Sequence, residues 1–264
     1  MSRIHVGIAL FLFLGVFAGV VSAGDQGPAA TDSAAEMQRV DAFTRVKFGL
    51  PGEMTLVQTD EPMVSIEATA KQLADIVVVV RNGELIVQQR RNRGWGRNLD
   101  DVKVQVGYQS LEGIAIAGSG NILADTMNAN HFSIAVDGSG DLVMQSLACK
   151  NAAIAITGSG DIRVNELSTD SVVTKITGSG DIKLAGEAGT QTLKIAGSGD
   201  YQAEELQSTV ADLTIAGSGT ARVSVRDRIR GTVAGSGDLY YRGEPDVSVR
   251  VAGSGNVSQV EAAL

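Results

Sequence analysis

The triplet Gly-Ser-Gly begins at Gly118, Gly138, Gly158, Gly178, Gly197, Gly217, Gly235 and Gly253 of this 264-residue chain. Successive starts are 20, 20, 20, 19, 20, 18 and 18 residues apart. A helix does not survive such punctuation, because each interior glycine costs about 1 kcal/mol relative to alanine. A fixed period of this size marks a solenoid, in which every repeat is one turn stacked on the last. Two residues before each triplet stand Ile116, Val136, Ile156, Ile176, Ile195, Ile215, Val233 and Val251. All are β-branched, which favours strand. Four residues after the first glycine the residue is again mostly apolar: Ile122, Leu142, Ile162, Ile182, Tyr201, Ala221, Leu239 and Val257. In front of these lie Asn121, Asp141, Asp161, Asp181, Asp200, Thr220, Asp238 and Asn256.

Each turn therefore reads as apolar strand, glycine corner, Asx residue, apolar strand. Both glycines are expected at positive φ, where a Cβ would clash. The Asx residue is expected to close its own turn. Stacked at roughly 4.8 Å per coil, the β-branched positions would form an internal column, each worth about 1.5–3 kcal/mol if fully buried. The fold expected is all-β: a single-stranded, right-handed parallel β-helix of coils about 20 residues long, with a β-rich N-terminal cap. The six-residue sub-period of a left-handed hexapeptide helix is not present.

Residues 1–23 read as a secretory leader: Arg3, an apolar run from Val6 to Val20, and small residues Val21-Ser22-Ala23 before Gly24. The run is shorter than the ~20 residues of a membrane span, so the expectation is export without a transmembrane segment, to the periplasm, the cell surface or beyond. Residues 24–39, rich in Gly, Pro, Ala, Ser and Asp, read as a flexible linker. Residues 40–110 read as cap and first irregular coils, with candidate strands at 44–48, 54–58, 63–68, 76–80, 85–89 and 102–106. Arg81-Asn82-Gly83-Glu84 is a hairpin signal between two of them. Residues 111–264 carry the repeats. The last repeat has no evident polar cap, and an exposed terminal coil invites pairing, so a homo-oligomer or a folded-back tail is expected there.

The succession Phe43-Thr44-Arg45-Val46, Gly52-Glu53-Met54-Thr55-Leu56, Val64-Ser65-Ile66, Asn82-Gly83-Glu84-Leu85-Ile86-Val87 and then serial Gly-Ser-Gly-Asp resembles the bacterial GIN-domain family. That family is described as an autotransporter-adhesin head domain of unknown function. The resemblance covers roughly residues 40–260. It implies a β-helical fold and a cell-envelope location, and it supplies no catalytic residue. An autotransporter also needs a C-terminal membrane barrel, and none is read after Val260.

Without Arg3 the 22 basic residues become 21 against 30 acidic ones, a formal charge of −9. This balance argues against nucleic-acid binding. Cys149 is the only cysteine, which excludes an intrachain disulfide; it reads as a small interior side chain. The row Asp141, Asp161, Asp181, Asp200 reads as turn residues or as a cation- or glycan-binding ladder. Arg163, Lys183, Gln202 and Arg222 stand two residues after Asp161, Asp181, Asp200 and Thr220 and are placed to pair with the Asp row on the same face. The Ser row from Ser119 to Ser254 lacks a base, since His131 is the one histidine after the leader; hydroxyls bonding along the stack are the better account. No cofactor or metal site is read.

The loop holding Arg90, Arg91, Arg93, Trp95 and Arg97 is basic in an acidic chain and has its only Trp. It reads as a solvated connection or as a partner-binding anchor. The function expected is a non-catalytic exported scaffold for binding or adhesion at the bacterial envelope. Its partner would be an envelope polysaccharide or another envelope protein. The alternatives are a carbohydrate-active enzyme on the same scaffold and a self-associating structural module.

Overall fold

The structure, a computed structural model, describes residues 33–90 and 99–261. The leader, residues 24–32 and most of the basic loop lie outside the described residues. In chain order the elements are β1 (Ser33–Arg39), β2 (Arg45–Gly49), β3 (Glu53–Gln58), β4 (Met63–Thr69), the single-turn α1 (Ala70–Leu73), β5 (Ile76–Arg81) and β6 (Glu84–Gln89). Then come β7 (Lys103–Tyr108), β8 (Gly113–Gly118), β9 (Asn121–Gly138), β10 (Leu142–Gly158), β11 (Ile162–Gly178), β12 (Ile182–Gly197), β13 (Tyr201–Gly217) and β14 (Thr220–Gly235). The last are β15 (Asp238–Arg242), β16 (Asp246–Gly253) and β17 (Val257–Gln259).

From β8 onward the strands stack in parallel and keep register on the run into each corner, so that Ile156 lies beside Ile176, Ile176 beside Ile195, Ile195 beside Ile215 and Ile215 beside Val233. The chain is an all-β parallel solenoid. Every member of that column from Ile116 to Val233 is at most 1% exposed. The two-residue alternation of inward side chains is not continuous. In β10 the buried positions are Leu142, Met144, Leu147, Cys149, Ala152, Ile154 and Ile156. The alternation slips after Gln145 and again after Lys150, and each slip is a bend, because an odd step would otherwise send the next side chain outward. With the Gly-Ser-Gly corner this makes a coil of three sides.

The two glycines of the triplet serve different ends. Only the first adopts positive φ, from 117° to 139° along the series. The second is excluded from bearing a side chain by the neighbouring coil: a Cβ on Gly160 would lie 2.1 Å from the Gly140 carbonyl oxygen. The first is confined in the same way, since a Cβ on Gly158 would lie 2.1 Å from the Gly138 oxygen. The closeness is that of a hydrogen-bonded stack. Gly138 O accepts from Ser159 N at 2.8 Å and from Gly160 N at 3.2 Å. The pairing of serine N–H with the glycine carbonyl of the coil before recurs from Ser139 to Ser254.

At the N-terminal end the order in space departs from the order in the chain. The coil of β2 and β3 pairs on one side with β8 and β9, and on the other with β6 and β7. The later residues 84–108 therefore lie outside the earlier residues 45–58. Beyond them the parallel pattern ends: β5 joins β6 antiparallel through Asn82 and Gly83, both at positive φ, and β4 joins β7 antiparallel. β1 adds to β4, which corrects the reading of residues 33–39 as linker. Gly and Pro give the 24–39 stretch its linker composition, yet Ser33–Arg39 contains neither, and the free edge of β4 supplies the backbone partners. At the other end, exposure rises from 1% at Val233 to 40% at Val251, its partner in the last coil.

Gly158→Ala should destabilise the chain by about 3 kcal/mol or more, combining strained φ with a backbone clash. Ser159→Ala, which leaves the bonded N–H in place, should change stability by no more than about 0.5 kcal/mol. Urea unfolding of the two variants checks both.

Candidate binding groove

The Asp row is a set of rungs between coils. Asp141 Oδ1 accepts from Asp161 N, Asp161 Oδ1 from Asp181 N, Asp181 Oδ1 from Asp200 N and Asp200 Oδ1 from Thr220 N, at 2.7–2.9 Å. Asn121 and Asp238 do the same for Asp141 and Asn256. The bond thus reaches the next turn, not the residue's own, because the glycine corner brings successive coils closer than a local Asx turn needs. The expected pairing with the basic row does not form. An ion pair does form in the cap, between Arg39 and Glu61 at 2.9 Å. Arg163 Nε donates instead to Asn165 Oδ1, and Arg222 lies over the Tyr240 ring at 5.0 Å. One oxygen of each of these Asp residues, Oδ1, is committed to a backbone N–H of the next coil.

The serine hydroxyls of the triplets have no hydrogen bond among the described residues; it is their N–H groups that stack. Nor do the described residues contain a group of three His, Cys, Asp or Glu placed to hold a metal. His131 Nδ1 stands 3.3 Å from Asn151 Nδ2, an exposed pair one coil apart. Of the basic loop, Arg90 is exposed, with its N–H on Asp75 O and its Nε on Ala74 O. Arg91, Arg93, Trp95 and Arg97 lie outside the described residues.

The regular surface is interrupted at the bend that follows Cys149. A groove of about 620 Å³ runs across five coils there, from Lys150 on β10 to Arg226 on β14. Its cause is written in the repeat lengths. In the 19-residue coil, Gly186 takes the place held by Leu167 before it and Leu206 after it. Gly189 lies in the row of Asp170, with an ideal Cβ only 2.5 Å from the Asp170 oxygen, so the wall loses its side chains at β12. In the next coils the register of β13 on β14 skips residues 204–206 and Thr209, because the interval ending at Gly235 has 18 residues. The rim is polar and carries both signs: Lys150, Asp170, Glu187, Gln207 and Arg226, the last donating to Thr209 Oγ1 at 3.3 Å.

Beneath the groove the core itself turns polar. Tyr201 Oη donates to Gln191 Oε1 at 3.0 Å, and Gln191 Nε2 to Ser208 Oγ at 2.7 Å. Ser208 Oγ donates to Ser224 O, and Ser224 Oγ to the groove residue Gln207. Complete burial pushes the Tyr201 phenol far up, so it remains a donor. Burial also raises the Cys149 thiol, with a further push from Asp170 against the pull of its bond to Thr169. A thiol held protonated is a poor nucleophile.

Asp181 is raised as well, first by burial and then by the flanking Asp200 and Asp161 charges, against the bond from Asp200 N. A folded-state value above the unfolded one means the fold binds that proton more tightly. Stability from it is fully present below the unfolded value and is lost as pH rises through the folded one. Asn121 shows that an amide oxygen serves equally in the row. Asp181→Asn should therefore raise stability at pH 7, by up to about 1 kcal/mol. The gain should vanish as pH falls below about 4, the ordinary carboxylate range; melting temperatures across that range check it.

Three solved structures share the fold. A "putative lipid binding protein" from Parabacteroides distasonis is 23% identical, with a TM-score of 0.80, over 87% of this chain and 97% of that one. A "putative adhesin" from Parabacteroides merdae is 22% identical, with a TM-score of 0.82, over 87% and 96%. A "putative adhesin" from Bacteroides fragilis is 21% identical, with a TM-score of 0.69, over 88% and 98%. No curated protein matches. No helix among the described residues is long and apolar enough to cross a membrane. The family model described as "Putative auto-transporter adhesin, head GIN domain" matches residues 42–245, and the chain belongs to that family.

Proposed function

We propose that the chain is an exported, non-catalytic adhesin-type module that holds an extended, hydroxyl-rich polymer of the cell envelope, a polysaccharide, along the groove between Lys150 and Arg226. The observation that carries this reading is the hydrogen-bonded network under the groove. Burying Tyr201, Gln191 and Ser208 in a solenoid core is costly against the Ile and Leu of other coils, since polar groups lose water for modest net gain. The network fixes Gln207 at the groove and keeps the coil bends rigid, which is pre-organisation for a ligand. Carboxylate, amide, hydroxyl and guanidinium groups in alternation suit sugar hydroxyls better than a strongly charged ligand. The family's adhesin description and the similarity to solved adhesin-like folds support binding as the task. The absence of a base beside the serine row supports a role without chemistry.

A second groove favours a second reading. It has about 580 Å³ at the first bend and is flanked by Val57 and Leu123, which are 37% and 41% exposed. It suits an acyl chain, and one structural neighbour is described as lipid-binding.

A glycan array with cell-wall polysaccharides, and vesicles of bacterial phospholipid in parallel, separates these readings. Loss of at least ~10-fold in polysaccharide affinity is expected for Asp170→Ala combined with Gln207→Ala, two hydrogen-bonding groups at ~1 kcal/mol or more each. Trp95→Ala with Arg91 and Arg93 neutralised should leave it unchanged. Unaltered binding in the groove variant, or loss only in the loop variant, overturns the groove reading.

A further inference from the structure

We propose that two copies of this chain pair end to end through β16, antiparallel and centred on Ser248. The proposal does not rest on the groove, which opens on another part of the coil. β16 bonds β14 along one side and has no strand on the other among the described residues. Its core-side residues Val247 and Val251 continue the interior columns of Ile229 and Val233, and Val249 stands beside Gly231 in the column of Leu213, yet all three are only partly covered. The stack thus presents an unpaired backbone edge beside open apolar core, the arrangement that recruits another strand.

The partner that fits is a second copy, and charge makes the choice. Asp246, Ser248 and Arg250 are the outward, exposed residues of β16. In an antiparallel pair, residues directly opposite share a face. Centring on Ser248 sets Asp246 against Arg250 of the partner subunit at both ends of the strand, and Val247 against the partner's Val249 on the core side. A slip of one residue would set outward against inward side chains and is excluded. A two-fold interface needs such self-complementarity, with residue i meeting j and j meeting i. Edge strands that remain single more often carry charge that repels a copy; β16 carries one of each sign, placed symmetrically about Ser248.

Light scattering on the chain purified from the exported fraction should give twice the single-chain mass. Asp246→Arg alone, and Arg250→Asp alone, set like charges opposite each other and should weaken association at least ~10-fold. The combined swap should restore it. Ser248→Cys should form an intermolecular disulfide on mild oxidation, because residue 248 faces its own copy within bridging distance, while Cys149 is buried. Far-UV circular dichroism equal to wild type shows each variant to be folded. A monomer at every concentration, a dimer indifferent to the single charge changes, or no disulfide at position 248 in a folded dimer overturns the proposal.

Discussion

The contact on which the whole stack depends is the glycine carbonyl of one corner lying against the serine and glycine N–H groups of the next. From the triplet at Gly138 onward it brings two backbones so close that neither glycine has room for a Cβ. The three-sided coil follows from this tight corner, because the remaining sixteen or so residues must turn the other two bends within continuous strand. The β-branched column follows too, since strict register from corner to corner superimposes Ile156, Ile176, Ile195 and Ile215. Backbone and side chain thus reinforce the same register, the local-to-global agreement that specifies one structure.

The Asp row is a second tie at the same corner, and it carries an internal tension. Each carboxylate accepts the next coil's N–H, which favours the charged form, yet the row stacks like charges and partly buries them. Asp181, flanked by Asp161 and Asp200, is where repulsion and burial prevail over the bond. Asn121 at the first coil of the row gives the same bond without charge. The irregular coils show the opposite use of the repeat. Deleting one residue around Gly186 and two before Gly235 opens a groove without disturbing the corners. The polar network of Tyr201, Gln191 and Ser208 then stabilises the altered interior.

The solenoid, its interior column and the hairpin at Asn82-Gly83 were legible because each is set by local chemistry: period, β-branching and turn residues. The groove was legible only as a change of interval, since which bend absorbs the missing residues depends on Gly186 and Gly189 meeting the coil beneath. The Asp rungs look in sequence like local Asx turns; nothing in one repeat states that the bond reaches its neighbour. The order of the N-terminal coils was hidden for a similar reason. Strand pairing is non-local, so residues 84–108 pass outside residues 45–58 without a mark in either segment. β1 was concealed by composition averaged over a Gly- and Pro-containing stretch, when its partner is the edge of β4 rather than its own propensity.

Amide hydrogen exchange at the triplet serines tests the central claim most directly, because each serine N–H is bonded only if successive corners lie in contact. The account predicts strong protection at Ser159, Ser179, Ser198 and Ser218, near the limit set by global unfolding. Exchange of these amides at the rate of exposed loop residues, with the neighbouring strand amides protected, would contradict it.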